Sequence, residues 1–309
     1  MSAPTLHVVR TPDRPGPGPM PDAILRALDI TIGRRMNGLL AGDYRSRALG
    51  LGTELAQVRE YQPGDDVRQM DWNVTARTTI PHVRVQVADR VLTTWLMLDT
   101  SPSMAFGTAD RRKYDVAEGV AIAVGQVATR HGNALGVMSF GGANSRLMPP
   151  GQGRTGMLGL LTVLRDEPEG AGLGPTSLGD AIHSLNRMAR HSKLIVIVSD
   201  FRGPRDWPDA LVELCGRHSV MAVEVRDPRE QELPDVGDLW LIDPETSRQL
   251  RVDTRSKKLR DRFATAASEE RAEVARLVAR SGAAHVVLST QGDWLRTFAG
   301  FLNTKGGRR

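Results

Sequence analysis

The sequence predicts an α/β protein in which a doubly wound, mostly parallel sheet follows a smaller β-rich module. From residue 91 onward, short apolar runs alternate with segments of helical period, which is typical of a parallel sheet covered by helices on both faces. The run LIVIV at residues 194–198 has no polar alternation, as expected of a strand buried on both faces. Residues 40–91 instead contain many Gly, Arg, Asp and β-forming residues without a helical period. We therefore expect two parts of different architecture.

The predicted domain boundaries follow these changes in composition. Residues 1–21 are rich in Pro and Gly and are expected to form a disordered lead-in, and residues 22–90 are expected to form the β-rich module. Residues 91–304 are predicted to form the α/β domain, with an inserted hairpin near residues 239–252. Residues 305–309 are predicted to be a frayed basic tail.

Two elements and a turn are predicted in or beside the module. A helix is predicted over residues 21–36, and the alternation in HVRVQVADRV at residues 82–91 indicates a strand with one solvent-exposed face. Pro63 and Gly64 suit the central positions of a type II turn.

In the α/β domain, strands and helices are predicted in alternation. The apolar strands cover residues 91–99, 134–140, 193–200, 219–225 and 284–290. Each main helix is marked by apolar residues on one face, and the second of them follows a capping pair, Ser177 and Asp180. These faces comprise Val116, Val120, Ala123, Val124 and Val127; Leu178, Ile182, Leu185 and Ala189; and Leu259, Phe263, Ala266, Val274 and Leu277.

The composition argues against several classes of function. The chain has 41 basic and 36 acidic residues spread along its length and only 5% aromatic residues, whereas nucleic-acid binders concentrate basic charge with aromatic side chains between. No apolar run approaches the length of a membrane span. The single cysteine, Cys215, excludes an intramolecular disulfide and fits a reducing compartment. We therefore expect a cytoplasmic protein with no membrane span and no nucleic-acid partner.

Polar side chains follow the apolar strands at positions where an open α/β sheet collects its ligands. Asp99, Ser101 and Ser103 come directly after one strand, and Asp200 ends another. Thr176 lies in a turn just before a helix. These five residues offer only hard oxygen ligands, which suit Mg²⁺, and also Mn²⁺ or Ca²⁺, better than zinc. The sequence therefore predicts a divalent-cation site at this edge of the sheet.

Less specific interpretations exist for the same residues. Taken alone, Asp99, Ser101 and Ser103 could form a helix cap and an Asx turn. A phosphoryl-accepting Asp99 resembling haloacid-dehalogenase-type enzymes would need an acid where Ser101 stands. Neither a G-x-S-x-G elbow nor a Walker A loop occurs in the sequence, so no catalytic residues are assigned.

A glycine-rich segment also matches a cofactor motif. GQGRTG at residues 151–156 has the pattern G-x-G-x-x-G, but it follows two prolines rather than a buried strand. We interpret it as a flexible turn before a helix over residues 157–164, and we predict no nucleotide cofactor.

DTSPS, which begins at Asp99, resembles the D-x-S-x-S motif of von Willebrand factor A domains, which forms their metal-ion-dependent adhesion site. Thr176 and Asp200 follow in the chain order of that family's later Thr and Asp. The resemblance implies that Ser101, Ser103 and Thr176 contact the ion and that Asp99 and Asp200 act directly or through water. It also implies that the ion's open position takes a carboxylate from a protein partner.

The segment before this motif is similar to a longer family pattern. GDYRSRALGLG, VREYQPGDDVRQMDWNVTART and PHVRVQV resemble the bacterial family called domain of unknown function 58. The match runs from about residue 40 to residue 107. Members resemble A-domain proteins and are usually encoded beside MoxR-type AAA+ ATPases. The resemblance therefore implies such an ATPase as a partner.

The GDDVRQMDW part of this pattern has three interpretations. It could be a structural ion network with Trp72 packed beneath it, an acid pair for general acid–base catalysis, or a contact surface. We favour the structural interpretation. The charged residues concerned are Asp65, Asp66, Arg68, Asp71 and Arg77.

Together these observations predict a metal-dependent protein-binding module rather than an enzyme. It would bind an acidic side chain of its partner and work with a MoxR-type AAA+ ATPase in the assembly or maturation of other proteins. The alternative is a metal-dependent phosphoester hydrolase. A second metal or a general base near Asp99 would favour that alternative, and the sequence shows neither.

Overall fold

The structure is a computed structural model that describes most of the chain from residue 54 onward and a short N-terminal stretch. The chain divides into two compact units, of which one is Asn37–Leu92 and the other combines Met1–Met36 with Thr93–Arg309. Most of the helix predicted over residues 21–36 and the segment GDYRSRALGLG lie outside the described residues. The described residues are 15–22, 26, 54–87, 93–130, 132–142, 145–165, 177–189, 193–243 and 246–305.

The larger unit is built on a six-stranded sheet with the order β10-β7-β6-β3-β4-β5. All neighbouring pairs are parallel except β4 and β5, so the sheet is parallel apart from one edge strand. The predicted α/β fold class is therefore confirmed. The strands are β3 (Thr93–Asp99), β4 (Ala134–Phe140), β5 (Leu147–Gln152), β6 (Leu194–Ser199), β7 (Ser219–Arg226) and β10 (Ala284–Ser289).

Helices cover both faces of this sheet. On one face, Trp95, Met97 and Ile197 pack with side chains from three helices, α4 (Leu178–Met188), α5 (Pro208–Arg217) and α6 (Lys257–Ser281). On the other face, the described helices are α2 (Lys113–Arg130), α3 (Gly153–Leu164) and α7 (Trp294–Lys305). α2 contacts the sheet, α3 and α7 pack against α2, and Leu96 and Leu98 are buried between these layers.

Several local predictions are confirmed. The predicted face of α2 is buried, and the Ser177 hydroxyl accepts a hydrogen bond from the Asp180 amide at the start of α4. The predicted insertion is a hairpin of β8 (Asp238–Ile242) and β9 (Gln249–Asp253). In α6, however, only part of the predicted apolar face is buried. The buried residues of this helix all lie in its second half: Val274 is in the core, but Ala266 is exposed. Among the described residues, no helix is long and apolar enough to cross a membrane.

The glycine-rich segment is not the flexible turn that we expected. Its first two residues, Gly151 and Gln152, end the antiparallel edge strand β5, and the remainder begins α3. The prediction failed because Pro149 and Pro150 argue against a strand, yet prolines are tolerated at a sheet edge where one side of the strand needs no hydrogen bonds.

The smaller unit is an antiparallel pair of strands, β1 (Glu54–Glu60) and β2 (His82–Val87), with a short helix, α1 (Trp72–Thr78), between them in the chain. Asp71 caps α1 by accepting hydrogen bonds from two helix amides, and its other oxygen pairs with Arg84 at 2.9 Å. Asp65 forms a two-pronged ion pair with Arg59.

The ion network of this unit therefore has other partners than we predicted. Arg68 and Arg77 are exposed, and strand residues supply the arginines in their place. Trp72 was predicted to pack beneath the network, but its side chain is 69% exposed because it opens α1 on the solvent side.

Candidate metal centre

Two aspartates meet at the carboxyl edge of the sheet. Asp99 is the last residue of β3, and Asp200 directly follows β6. These strands are adjacent and parallel, with Leu98 opposite Val198, so their ends lie side by side. Ser103 and Asp200, which belong to two predicted clusters and lie 97 residues apart in sequence, are thus brought together by the sheet.

Asp99 is buried and organises the loop that follows it. One carboxylate oxygen accepts a hydrogen bond from the Ser101 amide at 2.9 Å, and the other accepts one from the Ser199 hydroxyl at 2.6 Å. Burial, together with the negative charge of Asp200, raises the pKa of Asp99 to about 6, although its hydrogen bonds act in the opposite direction. The hydrogen bond from the Ser101 amide shows that Asp99 forms the Asx turn considered in the sequence analysis. That turn does not explain where the hydroxyls of Ser101 and Ser103 point.

The serine hydroxyls point at one another and at Asp200 rather than capping a helix. Ser101 precedes a short 3₁₀ turn, Pro102–Ala105, but its side chain makes no capping hydrogen bond. Its Oγ lies 3.0 Å from Ser103 Oγ, and Ser103 Oγ donates to Asp200 Oδ2 at 2.9 Å. The structure therefore brings together four of the five predicted site residues. Thr176 lies outside the described residues.

The spacing of these oxygens is that of hydrogen-bonded hydroxyls, and it is also compatible with neighbouring ligands of an octahedral divalent cation. Ligands of Mg²⁺ lie about 2.1 Å from the ion, so that neighbouring ligands are about 3 Å apart. Ser101 Oγ, Ser103 Oγ and Asp200 Oδ2 have successive separations of 3.0 and 2.9 Å. Among the described residues, no group of three His, Cys, Asp or Glu side chains is placed to hold a metal, so hydroxyl ligands would be essential here.

A lysine that the sequence analysis did not identify also belongs to this centre. Lys113, the first residue of α2, is completely buried, and its Nζ lies 2.5 Å from Asp200 Oδ2 and 2.6 Å from Glu230 Oε1. Lys113 is in phase with the buried residues Val116 and Val120 of α2, and this phase was the signal that could have predicted its burial.

The pairing sets the charge of both partners. Burial alone would lower the pKa of Lys113, but the charges of Asp200 and Glu230 outweigh it and raise that pKa. Burial would likewise raise the pKa of Asp200, but Lys113 outweighs it and keeps that pKa below its usual value. The ammonium and the carboxylate are therefore both charged at neutral pH.

The ion pairs continue away from the centre toward α6. Glu230 lies 3.3 Å from an Arg202 nitrogen, and Arg202 also approaches Glu270 of α6 at 3.7 Å. Arg205 lies 3.3 Å from the same Glu270. Asp200 is thus one end of a chain of alternating charges that reaches the protein surface.

The family model described as "Protein of unknown function DUF58" matches residues 57–273. The chain belongs to this family. Uncharacterized proteins of Mycobacterium bovis and Mycobacterium tuberculosis are 42% identical to it over 285 residues, which cover 92% of this chain and 89% of each relative. The family resemblance predicted from the sequence is therefore confirmed, and the DUF58 match includes Asp99, Lys113, Asp200 and Glu230.

The matches to solved structures are more distant. The conserved hypothetical protein BatB from Bacteroides thetaiotaomicron has a TM-score of 0.42 at 12% identity, covering 70% of this chain and 100% of that one. The SpRpn10 VWA domain has a TM-score of 0.38 at 12% identity, covering 70% of this chain and 95% of that one.

Proposed function

We propose that this DUF58 protein is a divalent-cation-dependent protein-binding module. The observation that carries the proposal is the set of three oxygens, from Ser101, Ser103 and Asp200, at the spacing of neighbouring octahedral ligands. Mg²⁺ fits this spacing best, with Mn²⁺ and Ca²⁺ as alternatives. Ser101, Ser103 and Asp200 would hold the ion, with Thr176 as a further ligand predicted from the sequence.

Asp99 has a supporting role in this proposal. It holds the Ser101 amide and the Ser199 hydroxyl, and so it fixes the loop that presents both serines. Its charge also favours a cation at the same edge of the sheet. The bound ion would supply an open coordination position, which an acidic side chain of the partner would fill.

The partner system follows from the family resemblance. We propose that the acidic side chain belongs to a protein that this module binds in the cytoplasm. A MoxR-type AAA+ ATPase would act with the module in the assembly or maturation of other proteins.

The geometry supports binding more than catalysis. The small cavity beside the centre is lined by Asp99, Asp200 and neutral side chains, including Phe140, Phe201 and Trp207, and no described lining residue is His or Cys. Both oxygens of Asp99 already accept hydrogen bonds, so that it is poorly placed to take a proton from an attacking water. A phosphoester hydrolase is therefore the alternative that experiment must exclude.

A thermal-shift titration with Mg²⁺ tests the metal site. Because only the folded state has the site, Mg²⁺ should raise the Tm of the wild type by mass action, and the Ser103→Ala substitution should reduce that rise. Ser256→Ala, which removes a serine at the start of α6, is the matched control and should respond as the wild type does. An unchanged response in Ser103→Ala would refute the assignment.

Binding and turnover are then compared at constant Mg²⁺. Because a AAA+ ATPase itself needs Mg²⁺, chelation cannot report on this site alone, and the Ser103→Ala variant replaces it as the probe. Binding to the purified ATPase by biolayer interferometry should weaken in Ser103→Ala but not in Ser256→Ala. Hydrolysis of bis-p-nitrophenyl phosphate that is lost in Ser103→Ala would instead establish the hydrolase.

A further inference from the structure

Lys113 is held where local physical chemistry opposes a positive charge. It is the first residue of α2, where the helix dipole disfavours cations, and its side chain is completely buried. Burying an ammonium costs several kcal/mol unless its partners are well placed. The two short contacts to Asp200 and Glu230 meet this condition. The buried charge of Lys113 is therefore stabilised by the centre and not by its own helix.

The ammonium and the ion would share one oxygen. Lys113 Nζ contacts Asp200 Oδ2, which is the same oxygen that accepts the Ser103 hydroxyl and that fits a ligand position. A cation at this oxygen would therefore approach a resident positive charge. Both positive charges would contact the same oxygen. The Coulomb repulsion between the Lys113 ammonium and the divalent ion would therefore weaken binding of the ion appreciably, even in a medium of high dielectric constant.

The charge balance of the centre depends on the same residue. Asp99, Asp200 and Glu230 carry three negative charges, whereas Lys113 and Arg202 carry two positive charges. The centre is thus singly negative, and a divalent ion would leave it singly positive. One carboxylate from outside would then bring it to neutrality. Without Lys113, the ion alone would neutralise the centre.

We propose that Lys113 makes cation binding depend on an acidic guest. It lowers the affinity for the ion alone, and it leaves the ion-loaded centre with a positive charge that a carboxylate must balance. Ion and guest therefore bind cooperatively, and each raises the affinity for the other by the same factor. This inference rests on the proposed metal site and names the residue that sets its specificity.

The test is isothermal titration calorimetry with Mg²⁺, in chloride and in acetate buffers of equal ionic strength, with acetate as the minimal acidic guest. Lys113→Met should bind Mg²⁺ at least about tenfold more tightly than the wild type in chloride, because the competing charge is removed. Acetate should raise the Mg²⁺ affinity of the wild type by a larger factor than that of Lys113→Met, in which only direct coordination of the guest remains. Lys113→Arg, which keeps the charge, is the control and should resemble the wild type.

Glu230→Gln provides a second variant that should fold, since glutamine still accepts a hydrogen bond from Lys113. It removes one negative charge and should weaken Mg²⁺ binding although Glu230 contacts none of the proposed ligand hydroxyls. If the charges of the Lys113–Glu230 pair do not reach the ion, Mg²⁺ binding should be unchanged in this variant.

The outcomes separate the two proposals. Suppose that the wild type binds Mg²⁺ measurably. If folded Lys113→Met then binds Mg²⁺ no more tightly than the wild type, or if Glu230→Gln binds it equally tightly, the proposed role of Lys113 is overturned and the metal site is retained. If Lys113→Met does not fold, Glu230→Gln decides. Absence of Mg²⁺ binding in every variant would overturn both proposals.

Discussion

Replacing Asp99 by Asn should stabilise the metal-free protein at neutral pH while weakening its response to Mg²⁺. Asp99 is buried beside Asp200, and these surroundings disfavour its negative charge. Asn keeps the shape and can still accept the hydrogen bond from the Ser101 amide. The Ser199 hydroxyl oxygen, which already accepts a hydrogen bond from the Phe201 amide, can use its second lone pair to accept from the new amide group, so that both side chains keep a hydrogen-bond partner.

The pKa of Asp99 gives the size of the effect. It rises from 3.8 to about 6 on folding, and this difference corresponds to about 3 kcal/mol at pH values above both, since each pKa unit is worth about 1.4 kcal/mol. Because the folded pKa is the higher one, stability falls as the pH rises from about 4 to about 6, and the loss is complete above that range. Asp99→Asn should therefore be more stable than the wild type by up to about 3 kcal/mol at pH 7.5, with little difference near pH 4.

Urea denaturation in EDTA at pH 7.5 and at pH 4 measures the free-energy difference between Asp99→Asn and the wild type at both ends of this range. Exposed Asp261 on α6 supplies the control Asp261→Asn, which makes the same change away from the centre. Adding Mg²⁺ at pH 7.5 should stabilise the wild type more than Asp99→Asn, which lacks the charge of Asp99. A free-energy difference between Asp99→Asn and the wild type that is the same at both pH values would refute the argument.

Three further predictions concern the rest of the chain. Asp200→Ala should lower the free energy of unfolding by about 3 kcal/mol in EDTA, measured by urea denaturation, because it removes one partner of buried Lys113. Gly119→Ala should destabilise the larger unit by about 1–3 kcal/mol and lower its Tm, because an added Cβ would lie 2.3 Å from the Trp294 ring. Asp71→Ala should speed hydrogen exchange of the Val74 amide, which Asp71 caps; unchanged exchange would contradict that role.

Much of the fold could be predicted because its causes are local. Continuous apolar runs such as β6 must be buried on both faces, and the alternation with helices leaves a parallel sheet as the arrangement that buries them. Asp99 and Asp200 each end such a strand, so that the sheet edge itself predicts their meeting. The edge strand β5 escaped prediction because its two prolines are unfavourable in a strand except at that edge.

The sequence by itself specified the α/β class, the order of its elements and the hydroxyl and carboxylate groups at the sheet edge. Only the tertiary structure showed that Lys113 and Glu230, 117 residues apart, share the same buried centre, and that Trp72 faces solvent. Periodicity and strand ends depend on neighbours in the chain. The partner of a buried charge, in contrast, is whichever opposite charge the packing of distant elements brings within hydrogen-bonding distance, and no local pattern records it.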